Sequence, residues 1–224
     1  MTHFKKYSAA VLIAAAAAVG ASSASATIIM TFSQQGGVNV VTGTTNAGQT
    51  ATTLSIVNAG VSFGFVQNGP AILTGTLNLS GTCSGATVAG GILTEHCTGN
   101  FAFTSGATNV LTGTFVDLLT GNVGEHSLTL QASTPPPTDV TFTSDVITTL
   151  GLERAIAFSF TNHLGAPGTP AGVTLCGTTI CSFTSAVSGN ASAELPITVP
   201  EPATLGLLGL ALAVLGFVRR RTQA

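Results

Sequence analysis

The sequence predicts an all-β body, an antiparallel sandwich or jelly roll, flanked by an N-terminal signal helix and a C-terminal transmembrane helix. Three observations support this. Short β-branched and apolar segments recur along residues 27–195, separated by Gly, Asn and Pro clusters. Polarity there comes from Thr, Ser, Asn and Gly, which suit pleated strands and the turns between them. The two ends are apolar segments that carry most of the chain's positive charge.

The N-terminus begins with Lys5 and Lys6, continues through an apolar, mostly alanine stretch from Ala9 to Val19, and ends in small residues up to Ala26. This is the layout of a secretory signal. The apolar stretch is shorter than the ~20 residues needed to span a bilayer core. Ala24 and Ala26 fit a signal peptidase pocket that takes only small side chains, so the cut is expected after Ala26 and export through the Sec machinery. Residues 1–26 are therefore assigned to the signal.

The body, residues 27–195, is long enough for one domain. The expected strands are Thr27 to Ser33, Val61 to Gln67, Ala71 to Ser80, Asn109 to Leu118, Ser127 to Ala132, Val140 to Thr149, Ala155 to Asn162 and Thr179 to Val187. In the second, Val61, Phe63 and Phe65 fall on one face; in the third, Leu73, Gly75, Leu77 and Leu79 do. Turns are expected at Gln35-Gly36-Gly37, Asn68-Gly69-Pro70, Gly121-Asn122, Gly165 to Gly168 and Gly189-Asn190. A helical turn is expected near Leu150 to Arg154. Pro135-Pro136-Pro137 marks a crossing between sheets. Thr-Gly-Thr recurs at 42–44, 74–76 and 112–114. Its irregular spacing argues against a solenoid and reads as a chance product of Thr-rich strands.

Four cysteines, Cys83, Cys97, Cys176 and Cys181, lie in this exported segment, where disulfides persist. Three pairings are open. Local pairing, Cys83 with Cys97 and Cys176 with Cys181, is the simplest. A four-cysteine zinc site lacks any C-x-x-C spacing.

Arg154 is the body's only cation against seven acids, a net charge of −6. Phosphate backbones would be repelled, so nucleic acid is not an expected partner. No nucleophile elbow, zinc-binding H-E-x-x-H, dinucleotide loop or P-loop occurs. The body has no lysine, Trp is absent from the chain, and the only Tyr is Tyr7, in the signal. Glu95-His96 and Glu125-His126, with His163, offer an imaginable metal site, but neighbours along a strand face opposite ways. A glycosidase needs two acids facing one cleft, and nothing selects a pair. No enzyme, metal or cofactor is therefore expected.

The C-terminus has its own layout. Residues 196–202 form a spacer ending in Val199-Pro200-Glu201-Pro202. Ala203 to Val218 carries no charge, and residues 219–224 form a basic tail with Arg219, Arg220 and Arg221. Pro202 can occupy a first helical turn without losing a hydrogen bond. Sixteen helical residues reach about 24 Å, somewhat short of a core of about 30 Å, and snorkelling arginines make up part of the deficit. Those arginines are expected to stay cytoplasmic, leaving the body outside.

These residues resemble the PEP-CTERM sorting signal: Pro200-Glu201-Pro202, then one transmembrane segment, then a basic cluster. The same tail is sometimes labelled an ice-binding protein C-terminal domain. The resemblance covers only the tail. It implies a Gram-negative bacterium that makes extracellular polysaccharide. It also implies processing by an exosortase, a membrane-embedded cysteine transpeptidase-like enzyme that cleaves near the motif. The expectation is an exported protein anchored in the inner membrane with a periplasmic body. After processing it would reach the cell surface or an exopolysaccharide matrix, in a non-enzymatic structural or interaction role. A polysaccharide hydrolase, or an ice- or carbohydrate-binding module, is the alternative.

Overall fold

The computed structural model describes residues 26–37, 39–66, 73–133, 140–147, 150–151, 153–165 and 172–194, with His163 described by its backbone only. The signal segment from 1 to 25, residues 67–72, Pro135 to Pro137, and the tail from residue 195 onward lie outside these.

Among the described residues, twelve strands follow one another: β1 (Thr27–Gln34), β2 (Val41–Thr45), β3 (Ala51–Phe65), β4 (Leu73–Ala89), β5 (Ile92–Ser105), β6 (Thr108–Asn122), β7 (Leu128–Ser133), β8 (Val140–Thr143), β9 (Arg154–Gly165), β10 (Leu175–Cys176), β11 (Thr179–Ile180) and β12 (Phe183–Ala193). All pairings are antiparallel. β1 and β2 occupy one position, both pairing with β3 on one side and β12 on the other. β7 and β8 pair with adjoining stretches of β6, and β9 pairs with both β7 and β12.

The ring therefore closes, giving eight strand positions in up-and-down order. This corrects the expected sandwich or jelly roll. Both architectures bury alternate residues, so the alternation along each strand is the same. The pairing of β12 with β1 and β9 is what makes the sheet a single closed barrel. Closure leaves the main sheet without a free edge along most of its length.

An eight-stranded barrel is just wide enough for side chains to fill it. Here phenylalanines fill it: Phe32, Phe63, Phe101, Phe103, Phe115, Phe142, Phe158, Phe160 and Phe183 are all buried. Phe158 is the hub, with ring centroids 5.4 Å from Phe32, 5.7 Å from Phe101, 6.3 Å from Phe103, 6.5 Å from Phe115 and 6.4 Å from Phe160.

Glycines make room for these rings. At Gly113, an added Cβ would lie 2.8 Å from Phe101 Cζ and closer still to the Thr141 carbonyl oxygen. At Gly99 it would lie 2.6 Å from Phe115 Cζ, and at Gly189 2.6 Å from Phe32 Cζ. Gly43 and Gly75 are covered in the same way by Phe183 and Phe63. The three Thr-Gly-Thr units are thus a structural device: the glycine faces the aromatic core and the threonines flank it. Aromatic side chains packed over cross-strand glycines help small sheets curve and close.

β3 keeps its apolar face inward along 15 residues only because of a bulge. Leu54 and Ile56 are buried, as are Ala59, Val61 and Phe63, so the alternation shifts by one residue between them. Asn58 absorbs the shift at φ 50°, a left-handed conformation that Asn tolerates. Its N–H donates to Asn78 Oδ1 at 2.9 Å.

Several local expectations change. β5 was not anticipated, although Gly90 and Gly91, both with positive φ, form the two-residue link between β4 and β5. Gly189-Asn190 is not a turn; it lies inside β12, hydrogen-bonded to both β1 and β9. No helix occurs among the described residues, and Arg154 opens β9 instead. Its Nε donates to the Gly151 carbonyl at 2.9 Å and its Nη1 to the Phe142 carbonyl at 3.0 Å. Of the anticipated strand over 140–149, Val140–Thr143 is strand and residues 144–147 are not; residues 148 and 149 lie outside the described residues.

Candidate functional sites

Two features of the barrel bear on function: its outer hydroxyl surface and a buried polar network under an inserted hairpin.

Because side chains alternate, packing apolar residues inside puts Thr and Ser outside. The register then aligns them. One row runs Thr74, Ser62, Ser33, Ser188, Ser159, Thr129, Thr120, Thr94 and Thr87, each directly opposite the next on the neighbouring strand. It winds once around the barrel, beginning and ending on β4. A second row runs Thr184, Thr42, Ser55, Ser80, Asn100, Thr114 and Thr141. A third runs Thr44, Thr53, Thr82 and Thr98, all exposed.

Cross-strand hydroxyl bonds link members of these rows. Ser33 and Ser62 lie 3.1 Å apart, Thr87 and Thr94 2.9 Å, and Thr114 and Thr141 2.8 Å. None of the rows contains a charged residue. An open depression of about 280 Å³ lies on the first row, lined by Thr31, Phe32, Ser33, Ser62, Phe63 and Gly64. A membrane-spanning barrel carries an apolar band outside and a polar interior; the alternation here is the reverse. Among the described residues no helix is long and apolar enough to cross a membrane.

The second feature lies at one mouth of the barrel. Ahead of β12, residues 172–182 include the β10–β11 hairpin, closed by a disulfide between Cys176 and Cys181. Its backbone bridges the rim: Thr178 N–H donates to the Gln49 carbonyl at 2.9 Å, and Ala86 N–H to the Thr178 carbonyl at 2.8 Å. Nearby, Gly124 N–H donates to the Val173 carbonyl at 2.9 Å. Val173, Ile180 and Cys181 are buried. The other disulfide, Cys83 to Cys97, joins directly opposed residues of β4 and β5.

Glu95 points into this mouth and is fully buried. Thr179 Oγ1 hydrogen-bonds its Oε1, and Ile180 N–H donates to its Oε2 at 3.3 Å. Thr179 Oγ1 also lies 2.7 Å from Thr52 Oγ1, and Thr52 donates to the Ile180 carbonyl at 2.5 Å. Burial pushes the Glu95 carboxyl above the ordinary glutamate range, while the hydrogen bonds from Thr179 and Ile180 pull it back down.

The paired acids of a glycosidase are not assembled by these contacts. Glu95 is the only fully buried acid among the described residues, and its hydrogen bonds go to Thr179 and Ile180. His96 is exposed on the face opposite Glu95. Glu125 and His126 are not on a strand; both are exposed in the connection from β6 to β7. The side chain of His163 and all of Asp139 lie outside the described residues. Among those described, no group of three His, Cys, Asp or Glu is placed to hold a metal ion. The sequence offers Glu95 only as half of a Glu-His pair; the structure places it inside the barrel rather than on the surface. The available signal was a lone acid flanked by inward-facing Leu93 and Cys97.

Ala26 immediately precedes β1, so a cut after it would leave the first strand whole. Ala24, Val199 to Pro202 and Arg219 to Arg221 lie outside the described residues. Fold and sequence together define an exported class: a hydroxyl-surfaced, disulfide-bonded β-barrel followed by a sorting tail. The family model for the PEP-CTERM protein-sorting motif matches residues 198–221. That motif indicates an exported protein targeted to exosortase through a membrane-associated sorting intermediate. No curated protein and no solved structure matches the chain.

Proposed function

We propose that this chain is an envelope or exopolysaccharide-matrix protein with a non-enzymatic, structural or interaction role. Signal peptidase cuts after Ala26. Residues 203–218 hold the chain in the inner membrane with the barrel in the periplasm, and Arg219 to Arg221 stay cytoplasmic. Exosortase cleaves near Pro200-Glu201-Pro202, and the barrel passes to the cell surface or its matrix.

The observation that carries the interaction role is the uncharged hydroxyl row from Thr74 to Thr87. A surface of hydroxyls exchanges hydrogen bonds with a neutral, hydroxyl-rich polymer as readily as with water, so each contact is weak. Many contacts repeated along a polysaccharide add up through effective concentration. The depression at Ser33 and Ser62 approaches the lower end of ligand-pocket volumes, about 300 Å³, but it is open to solvent rather than enclosed, which favours a surface engaged along its length.

Two measurements test this reading. Deleting Pro200 to Arg221 should release the barrel to the medium with no processing intermediate; unchanged retention and processing would contradict the sorting role. Extracted extracellular polysaccharide should co-sediment with the full chain, and the Thr74→Ala, Ser33→Ala, Thr87→Ala triple variant should weaken that. Equal binding by the variant would remove the row from the interaction. Turnover of the polysaccharide would favour a hydrolase.

A further inference from the structure

The polar network at the barrel mouth has a proton count that does not balance for an ionised glutamate. Three oxygen–oxygen contacts run in series: Glu95 Oε1 to Thr179 Oγ1, Thr179 Oγ1 to Thr52 Oγ1, and Thr52 Oγ1 to the Ile180 carbonyl. Each needs one proton, because two oxygens at hydrogen-bond distance without a proton between them repel. Thr52 and Thr179 supply one each. The third must come from the carboxyl of Glu95. The remaining carboxyl oxygen, Oε2, accepts from Ile180 N–H. With that proton present, Glu95 donates to Thr179, Thr179 to Thr52, and Thr52 to the Ile180 carbonyl. Without it, Thr179 turns its proton to the carboxylate, and Thr52 has one proton for two contacts: either the 2.7 Å contact with Thr179 or the 2.5 Å contact with the Ile180 carbonyl is left bare, although that carbonyl keeps a second donor in Thr45 Oγ1 at 2.8 Å.

We propose that Glu95 is a proton-binding latch: protonated, it seats the disulfide-closed β10–β11 hairpin in the barrel mouth, and on losing the proton it loosens that hairpin. Both partners of its carboxyl, Thr179 and Ile180, belong to the hairpin. The cost of an ionised Glu95 therefore falls on the hairpin's docking. Local opening of a single inserted unit is the scale of motion involved. Burial favours the protonated form in the same direction.

Among the described residues, other titratable groups around the network are few. On β6, Asp117 is half-buried and sits opposite Cys97. On β5, His96 faces outward. Glu125 and His126 are exposed in the connection from β6 to β7. β3 presents Thr52 and β11 presents Thr179, neither of which titrates in this range. β4 presents Cys83, which is tied up in a disulfide.

The test is hydrogen exchange at the Ile180 and Cys181 amides of the full chain across a pH series, corrected for intrinsic exchange. In the wild type, opening should increase by up to about tenfold per pH unit between the ordinary glutamate value and the raised one, then level off. Glu95→Gln should flatten this dependence. Thr52→Val removes two of the three contacts together with one of the two hydroxyl protons, so the one contact left, between Glu95 and Thr179, is satisfied by the Thr179 proton with Glu95 ionised; this variant should also weaken the dependence. Asp117→Asn should leave it intact. Infrared difference spectra against Glu95→Gln should show a protonated-carboxyl band at pH values where the hairpin is fully protected. The proposal is overturned if exchange is independent of pH in the wild type. It is equally overturned if the dependence survives in Glu95→Gln or in Thr52→Val, if it disappears in Asp117→Asn, or if the carboxyl band is missing.

Discussion

Phe101 lies over Gly113, its directly opposed neighbour on the next strand, with the ring Cζ 2.8 Å from where a Cβ would sit. The same relationship links Phe115 to Gly99 and Phe32 to Gly189. Each pair trades a side chain on one strand for the whole face of a ring on the next. The interior can then be aromatic without being overfilled.

Gly113→Ala should therefore destabilise the barrel although alanine suits strands better than glycine. The methyl group meets Phe101 and the Thr141 carbonyl oxygen, and overpacking costs about 1–3 kcal/mol. Chemical denaturation of Gly113→Ala beside Thr112→Ala checks this. Only the first should lower the midpoint substantially, because Thr112 is on the outward side.

Phe158→Ala should be among the most damaging core substitutions. The ring contacts five other phenylalanines, and removing a buried Phe costs about 3–5 kcal/mol. Phe158→Leu should recover part of the loss. Equal stability of wild type and Phe158→Ala would mean the rings do not form one packed core.

Much of this fold was legible locally and little of it globally. The inward sets Val61-Phe63 and Leu77-Leu79 follow from alternation alone. Barrel closure does not, because it depends on β12 meeting β1 across most of the body, and a sandwich strand alternates identically. Thr-Gly-Thr looked accidental because its spacing is irregular; its regularity lies in three dimensions, where each glycine meets a phenylalanine from another part of the sheet. Gly189-Asn190 looked like a turn for the same reason: a glycine selected for close approach resembles one selected for φ. The hydroxyl rows were invisible because they are made by register, which no single segment records. Glu95 and Thr179, 84 residues apart, meet only because the β10–β11 segment folds back.

Stability should depend on pH through Glu95. Its carboxyl is raised in the folded state, so its stabilising contribution is fully present below the ordinary value of 4.5 and is lost as pH rises through the raised one. Urea midpoints should fall over that window in the wild type and change less in Glu95→Gln. At neutral pH, Glu95→Gln should be at least as stable as the wild type.

Replacing Cys176 and Cys181 together by Ser should loosen the hairpin while the ring of β-strands persists. A loop this short is worth about 2 kcal/mol on the chain-entropy account. The expected signature is faster amide exchange at Thr178 to Cys181, with β4 and β5 amides unchanged. Loss of protection throughout the barrel would show that the hairpin is needed for closure.

The most direct test of the sorting account is the intact mass of the mature protein isolated from its native envelope. The expected chain begins at Thr27 and ends near Pro200 to Pro202, lacking Ala203 to Ala224. A mature chain that still carries Arg219 to Arg221 would contradict it.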